Sequence, residues 1–287
     1  MTTDILTYIQ NKMDSFSKGQ KRIASYILNN YDQAAFQTAN VLGKTVDVSE
    51  STVVRFATLL GYSGYPEMQK CLQEVVLNRL TAPQRIEMDE NRMDREKVLE
   101  TVLQADMERI RATAEEIDAA AFEAAIDLLL SAGRIFVVGV RAAAPVASFL
   151  GFYLRYLVED VRILTGDSVI EMLEQVTRIR PQDVLIGISF PRYCTVTRRA
   201  MELAKSVGCG TIALTDRRDS PIALRADAVL TAKSGMASLA DSMVAPMSVV
   251  NALLAAVASR RKPETEQTLE KLEEFWVDYH VYEKTDE

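Results

Sequence analysis

Apolar residues in the first part of the chain recur at helical spacing. In SKGQKRIASYILNNY, the residues Ile23, Ile27 and Tyr31 fall on one face of a helix that turns by about 100° per residue. Ser17 is followed three residues later by Gln20, which is the pattern of a capping box at a helix N-terminus. The pattern therefore predicts an amphipathic helix that begins just after Ser17.

The following segments predict two short helices joined by a turn. FQTANVLGKTV (36–46) directs Leu42 inward, and Ser49 is positioned to cap a further helix that Gly61 ends. Two short helices with a brief connection, placed after a first helix, form a helix-turn-helix core. YPEMQKCLQEVVLNRL (65–80) then predicts another helix, with proline in its first turn.

A change of composition follows this helical region. Residues 81–95 (TAPQRIEMDENRMDR) are polar and highly charged, with little apolar periodicity, which is typical of a linker. One long helical stretch is predicted over 96–130. We place the domain boundary within 81–95.

From residue 134 onward, continuous Val/Ile/Leu runs alternate with helical segments. Such runs are typical of a parallel sheet that is covered on both faces. The predicted strands are 134–140, 161–166, 183–190, 210–216 and 227–233, and the predicted helices are 143–158, 168–179, 195–207, 240–259 and 264–281. The sequence thus predicts a doubly wound, flavodoxin-like α/β domain with a parallel sheet.

The chain is long enough for two domains of ordinary size. We expect four regions along it. They are an all-α helix-turn-helix domain (1–80), a partly helical linker (81–118), a doubly wound α/β domain (119–260) and a C-terminal helix and tail (261–287).

Charge is unevenly distributed along the chain. The net charge is −7, but residues 1–80 carry +1 and the remainder carries −8. The near-neutral N-terminal region is able to present a local basic face, so the total charge does not exclude nucleic acid as a partner. The three cysteines form no CxxC pair, and no apolar run is long enough for a membrane span. We expect a cytoplasmic protein with free thiols, without a metal site or a cofactor.

The segment VSESTVVRFATLLGY (48–62) combines an apolar face with a polar face of short side chains. On a helical wheel, Phe56, Ala57 and Leu60 lie within about 60° of Val53, whereas Ser51, Arg55 and Thr58 lie on the opposite side. In an arbitrary helix, a solvated face explains such a set. In the last helix of a helix-turn-helix, hydroxyls and an arginine also suit contact with phosphates and base edges in a DNA major groove.

Two parts of the chain resemble a known family. QKRIASYILNNY and VSESTVVRFATLLGYSGYPEMQ resemble the N-terminal domain of the RpiR/MurR transcriptional regulators. FVVGVRAAAPVA and the stretch from DVLIGISFPRYC to DSPIALRADAVL resemble the C-terminal SIS (sugar isomerase) domain of the same family. The resemblance spans about residues 1–260. It implies a DNA-binding regulator whose SIS domain senses a metabolite, usually a phosphorylated sugar.

The residue pattern and the resemblance together select candidate contacts. For a double-stranded DNA operator, the candidates are Ser49, Ser51, Thr52, Arg55 and Thr58 in the recognition helix, with Lys21, Arg22 and Lys44 on phosphates. For a small anionic metabolite, the candidates are Arg141, Ser189, Arg192, Tyr193, Thr195 and Ser238. Ligands of a parallel α/β sheet bind at the carboxyl ends of its strands, next to helix N-termini that attract anions. Taken alone, each of the cations assigned to phosphates is better explained as an ordinary solvent-exposed charge.

The two loops that resemble the SIS phosphate site depart from the usual pattern. Where the first loop commonly has glycine and then serine, this chain has Arg141 and Ala143. Where the second commonly reads Ser-x-Ser-Gly-x-Thr, this chain has Ser189, Pro191 and Arg192 at the first, third and fourth positions. This chain therefore lacks two of the serine hydroxyls that the usual loops carry. An arginine is able to replace such donors, because its guanidinium group forms two parallel hydrogen bonds to a phosphate or a carboxylate. We expect an anionic ligand, either a sugar phosphate or a sugar acid.

Two other interpretations stay open. A sugar-phosphate isomerase with an accessory helical domain would need a base, for which Glu171 and Glu174 are candidates, since the only histidine is His280 in the tail. Alternatively, the N-terminal helices would dock another protein. We favour a regulator that is not an enzyme and that forms a homodimer or homotetramer, because operators of helix-turn-helix proteins are commonly palindromic. The apolar helices 143–158 and 243–258 are candidates for the dimer surface.

Overall fold

The computed structural model describes residues 5–79, 96–166, 168–236 and 240–283. The chain divides into two compact units, Met1–Arg92 and Met93–Glu287. The linker predicted at 81–95 lies outside the described residues. Among the helices that the structure describes, none has both the length and the apolar character needed to cross a membrane.

The first unit consists of helices packed around one apolar core. Its helices are α1 (Ile5–Lys12), α2 (Lys18–Asn29), α3 (Tyr31–Ala34), α4 (Ala39–Thr45), α5 (Glu50–Leu59) and α6 (Tyr65–Arg79). Ile9, Ile23, Leu42, Phe56 and Leu72 are fully buried in this core. The helix predicted after Ser17 is α2, and the unpredicted helix α1 precedes it and contributes Ile9 to the core.

The helix boundaries in this unit follow the predicted capping signals. The capping box at Ser17 is present. Ser49 caps α5, with its Oγ accepting a hydrogen bond from the Thr52 N–H at 3.3 Å. Gly43 allows α4 to approach the start of α5 closely, since a Cβ atom there would lie 2.9 Å from the Val48 carbonyl oxygen. The helix-turn-helix geometry therefore depends on this glycine.

The second unit begins with two helices where one long helix was predicted. They are α7 (Val98–Glu116) and α8 (Ala119–Ser131). Asp118 separates them, because its Oδ1 accepts hydrogen bonds from the Ala120 and Ala121 N–H groups and so caps α8. Aspartate favours the start of a helix, and a prediction that uses only the spacing of apolar residues does not detect this signal.

Helix α7 belongs to the second unit. The Lys233 N–H donates to the Thr113 hydroxyl at 2.8 Å, and the Ser242 hydroxyl donates to Asp106 Oδ1 at 2.6 Å. The predicted linker 81–118 included this helix, whereas the structure anchors it to the α/β unit by these hydrogen bonds.

A five-stranded parallel sheet forms the centre of the second unit. Its strands are β1 (Ile135–Gly139), β2 (Val161–Leu164), β3 (Val184–Ile188), β4 (Gly210–Thr215) and β5 (Ala228–Thr231), in the order β2-β1-β3-β4-β5. Ile135 and Val137 enter one apolar cluster, while Phe136 and Val138 enter another, so both faces of the sheet are covered. The predicted doubly wound fold is confirmed.

Helices cover the two faces of this sheet. They are α9 (Ala144–Leu154), α10 (Val169–Val176), α11 (Thr195–Ser206) and α12 (Val244–Arg260), and α13 (Lys262–Asp278) follows. A short antiparallel pair, β6 (Gly235–Met236) and β7 (Asp241–Ser242), precedes α12. Val249, Val250 and Leu253 of α12 are buried in the same cluster as Ile135.

Candidate functional site

The polar face of α5 is at the surface of the first unit. Ser51, Arg55 and Thr58 are exposed, while Val53 and Phe56 on the opposite side are fully buried. The predicted separation of the two faces is confirmed. The core holds α5 by its apolar side and leaves a row of hydroxyls with one guanidinium group accessible.

Hydroxyl groups contact one another at the N-terminal end of α5. Ser49 Oγ lies 2.9 Å from Ser51 Oγ and 2.8 Å from Thr52 Oγ1. Further along, Thr58 Oγ1 donates to the Val54 carbonyl oxygen at 3.2 Å. A hydroxyl donates once and accepts twice, so the Ser49 hydroxyl is fully used by its three partners, whereas those of Ser51, Thr52 and Thr58 retain capacity for a further partner.

A groove of about 790 Å³ lies between α2 and the turn that precedes α5. Lys18, Lys21 and Arg22 of α2 line it together with Asp47 of the turn. Arg22 Nη1 donates to Asp47 Oδ2 at 2.8 Å in an exposed ion pair. Lys44 is exposed at the C-terminal end of α4. The cations predicted for phosphate contact are thus accessible.

The sheet of the second unit has its topological switch point between β1 and β3. These strands are adjacent, with Gly139 paired to Ile188 at their carboxyl ends. Helix α9 follows β1 onto one face of the sheet, and α11 follows β3 onto the other. The chain therefore leaves the two strands in opposite directions and opens a crevice, where ligands of doubly wound folds bind.

The first loop at this crevice contains Arg141. It is exposed and has a left-handed backbone, with a φ of 57°. Gly139 allows the tight return of the chain, because a Cβ there would lie 2.9 Å from the Ala143 carbonyl oxygen and 2.8 Å from Ala147 Cβ. A left-handed residue with a side chain costs about 1–2 kcal/mol, and such residues cluster at functional sites.

The second loop contains Arg192, which is also exposed and left-handed, with a φ of 51°. Ser189 is buried, and its Oγ accepts a hydrogen bond from the Cys194 N–H at 3.0 Å. Its hydroxyl shapes the loop, and a direct contact with ligand stays a prediction. Thr195 is exposed at the N-terminal end of α11.

Tyr193 ties this loop to the end of β4. Its hydroxyl donates to Asp216 Oδ1 at 2.8 Å, and the Thr215 hydroxyl donates to the same atom at 3.2 Å. Burial raises the pKa of the Asp216 carboxyl. Burial also raises the pKa of Tyr193, with a further contribution from the Asp216 charge, so Tyr193 is a phenol donor at neutral pH. No sequence-based prediction selected Asp216, although TDRRDS directly after a predicted strand was an available signal.

Thr197 is a second residue near the crevice that the sequence patterns did not select. It is fully buried in the first turn of α11, and its hydroxyl has no hydrogen-bond partner within the described parts of the chain. Ser238, predicted as a ligand contact, lies outside the described residues. The crevice therefore gathers Arg141, Arg192, Tyr193 and Thr195 from the predicted set on two loops.

Both units match known families. Residues 3–78 match the family model of the rpiR-family helix-turn-helix domain, and residues 128–256 match that of the SIS domain. The HTH-type transcriptional regulator HexR of Pseudomonas aeruginosa is 24% identical over 276 residues, covering 94% of this chain and 95% of HexR. An uncharacterized HTH-type transcriptional regulator of Caldanaerobacter subterraneus is 25% identical over 279 residues, covering 95% of this chain and 96% of that protein.

Solved structures show the same folds. The sugar isomerase domain of an RpiR transcription factor from Sphaerobacter thermophilus is 33% identical with a TM-score of 0.59, covering 62% of this chain and 99% of that domain. The NanR protein of Vibrio vulnificus, solved in complex with ManNAc-6P, is 21% identical with a TM-score of 0.60, covering 96% of this chain and 98% of NanR.

Proposed function

Because the chain belongs to the rpiR family of helix-turn-helix transcriptional regulators with a SIS domain, we propose that it binds operator DNA through α5 and an anionic carbohydrate derivative at the β1–β3 crevice. The ligand class that we propose is a sugar phosphate or a sugar acid. Bound ligand would change operator affinity, since a ligand that prefers one of two states couples its own concentration to the other site.

One observation carries the ligand half of this proposal. Arg141 and Arg192 stand in the two loops at the ends of adjacent strands, and both keep a left-handed backbone. Guanidinium groups at such an edge suit bidentate binding of phosphate or carboxylate. The N-terminus of α11 beside Thr195 adds N–H groups that favour a negative charge.

The relatives favour a sugar phosphate within this class. NanR, which has the same fold, was solved with the phosphate-bearing ligand ManNAc-6P. The loops of this chain bear two arginines and few hydroxyl donors, and arginine binds a carboxylate as well as a phosphate. We therefore keep sugar acids beside sugar phosphates as candidate ligands.

Thermal-shift titrations of sugar phosphates and sugar acids test the ligand half. A ligand that binds the native state raises the melting temperature by mass action. We expect Arg141→Ala and Arg192→Ala each to lower the affinity of the hit compound by about tenfold or more, because each removes a charge-assisted bidentate contact worth about 1.5–3 kcal/mol.

Arg199→Ala is the matched control, since Arg199 is an exposed arginine of α11 outside both loops. It should leave the shift intact. Equal loss in all three variants would point to non-specific charge attraction, and an intact shift in both loop variants would place the ligand elsewhere.

Selection from a random duplex library, followed by titration at several salt concentrations, tests the DNA half. Arg55→Ala should cost about 1–3 kcal/mol and relax sequence preference, whereas Lys21→Ala should weaken all duplexes uniformly and lower the salt slope by about one. Arg111→Ala, an exposed arginine of α7, is the control for lost charge. Failure of the wild-type protein to enrich any duplex would contradict the proposed role of α5.

We propose that the second unit binds its ligand without converting it. Glu171 and Glu174, the carboxylates considered as bases, are both exposed on α10, where water solvates them. NMR of sugar phosphates incubated with the protein tests this point. Aldose–ketose conversion that Glu171→Gln abolishes would favour the isomerase alternative.

We also propose a homodimer or homotetramer, which multi-angle light scattering measures directly. A palindromic operator would then meet two copies of α5, and the two contacts together supply the affinity that one short helix lacks.

A further inference from the structure

The exposed face of α5 carries two side chains that the candidate DNA contacts do not include. Glu50 is the first residue of α5 and Val54 follows about one turn later, and both are exposed. Residues four positions apart are neighbours on the surface of a helix, so Glu50, Val54 and Thr58 form one ridge. Ser51 and Arg55, which are also four positions apart, form the ridge beside it.

The carboxylate of Glu50 has a hydrogen-bond partner on α4. Asn40 Nδ2 donates to Glu50 Oε2 at 3.2 Å, and both side chains are exposed. A carboxylate accepts hydrogen bonds at both of its oxygens, so Glu50 retains acceptor capacity beyond this contact. Asn40 thus orients the carboxylate at the N-terminal end of α5, and the N-terminal residues of a recognition helix are those that contact base edges.

A carboxylate on a surface that faces DNA has few favourable partners. Phosphate oxygens repel it because the charges are alike. In the major groove, guanine and thymine present only acceptors for hydrogen bonds, whereas the N4 amino group of cytosine is a donor to glutamate. Adenine also presents an amino group, but its N7 acceptor beside that group opposes a carboxylate. Glu50 therefore suits cytosine better than the other three bases.

Val54 is an apolar side chain beside these polar groups. It is 38% exposed, while Val53 next to it is fully buried. The apolar group that bases present in the major groove is the C5-methyl of thymine, and contact between it and valine removes apolar area of both from water. Four helical residues rise about 6 Å and base pairs are about 3.4 Å apart, so the bases that meet Glu50 and Val54 should lie within about two base pairs.

We propose that Glu50 and Val54 determine the base specificity of α5, with Glu50 reading a cytosine and Val54 reading a thymine within about two base pairs of it. Asn40 is a positioning residue, because it acts through the Glu50 carboxylate. This assignment rests on operator binding through α5, as proposed above, and adds the bases that the helix prefers.

Selection from a random duplex library with Glu50 variants tests the cytosine contact. The wild-type consensus should contain a cytosine that Glu50→Gln changes to adenine, because glutamine forms a bidentate contact with adenine N6 and N7. Glu50→Ala should lose about tenfold in discrimination at that position, since it removes one charge-assisted hydrogen bond. Glu115→Gln, at an exposed glutamate of α7, is the matched control and should leave the consensus unchanged.

Asn40→Ala tests the positioning role. It should lower the preference for cytosine at the position that Glu50→Gln changes and leave the preferences at the other positions as they are. A purely structural role in joining α4 to α5 would instead lower the affinity for all duplexes alike. The melting temperature of each variant, measured by circular dichroism, checks that the first unit stays folded.

Deoxyuridine tests the thymine contact, because it lacks only the C5-methyl group of thymine. Replacing the thymine near the cytosine by deoxyuridine in the selected duplex should weaken wild-type binding about threefold. Val54→Ala should bind both duplexes equally. Leu59→Ala is the matched control, since Leu59 is another exposed apolar residue of α5, and it should keep the threefold difference.

Three results would overturn the assignment. They are a consensus that Glu50→Gln leaves unchanged, loss of all selection by a folded Glu50→Gln protein, and a preference for thymine over deoxyuridine that survives Val54→Ala. Failure of the wild-type protein to enrich any duplex would instead contradict operator binding through α5, so the two proposals fail in different ways.

Discussion

Replacing Gly43 with alanine tests whether the close approach of α4 and α5 sets the helix-turn-helix geometry. The new Cβ would lie 2.9 Å from the Val48 carbonyl oxygen and 3.4 Å from the Glu50 nitrogen. Both are backbone atoms, so no side-chain rotation relieves the contact. Overpacking costs about 1–3 kcal/mol, against a gain of about 1 kcal/mol in helix propensity from glycine to alanine. The net loss in the free energy of unfolding of the first unit is then about 0–2 kcal/mol, and we expect about 1 kcal/mol.

Circular dichroism on thermal unfolding measures this loss. A small domain loses about 4–8 °C per kcal/mol, so a loss of about 1 kcal/mol should lower the melting temperature of the first unit by about 4–8 °C. Trp276 lies in the second unit, and its fluorescence should report an unchanged transition there. Operator affinity should also fall, because the start of α5 is displaced.

Gly19→Ala is the control for this experiment. A Cβ at Gly19 meets only the side chains of Val48 and Thr52, at 3.6 and 3.8 Å. Alanine there should leave stability unchanged or raise it by about 1 kcal/mol through helix propensity. A Gly43→Ala protein as stable as Gly19→Ala would refute the reasoning, since it would mean that the turn yields without cost.

Three further predictions concern the second unit. Arg192→Gly should raise the free energy of unfolding by about 1 kcal/mol, because glycine adopts a left-handed backbone without strain, and urea titration measures this gain. The same variant should lose the rise in melting temperature that the ligand causes. Burial raises the pKa of Asp216, so the native state binds the proton of this carboxyl more tightly than the unfolded state does. The free energy of unfolding should therefore fall as pH rises from about 4 through the raised pKa. Urea titrations at several pH values should show a weaker pH dependence for Asp216→Asn. Asp183→Ala should cost about 3–5 kcal/mol by leaving Arg134 without its buried partner. Asp160→Ala removes a half-exposed ion pair with Arg162 and should cost less than about 1 kcal/mol.

Local signals predicted most of the fold. Continuous apolar runs predict β1 to β5, because strands buried on both faces consist mainly of apolar residues. Capping residues such as Ser49 mark where helices start. Helix α1 was not predicted because its eight residues make only about two turns, which is too short for an apolar period to stand out. The break at Asp118 shows that a cap signal within a long periodic stretch outweighs the period.

The candidate ligand site was predictable in position but not in its internal bonds. Sequence places Arg141, Ser189 and Arg192 directly after strands, and the carboxyl ends of parallel strands meet at one edge. The sequence does not indicate that Tyr193 forms a hydrogen bond with Asp216, because Asp216 lies 23 positions away, at the end of a different strand. The hydroxyl of Ser189 is likewise used within its own loop, which no local pattern indicates.

The two left-handed arginines explain how the loops depart from the usual SIS pattern while keeping the same kind of turn. In the patterns that these loops resemble, glycine stands at the positions of Arg141 and Arg192, and both arginines have a positive φ. The conformation that glycine adopts without strain is therefore kept, and a guanidinium group is added at each position. Each left-handed arginine costs about 1–2 kcal/mol, which a purely structural turn would avoid by using glycine. We propose that ligand binding compensates for this strain, since a charge-assisted hydrogen bond from each guanidinium group to an anion contributes about 1.5–3 kcal/mol.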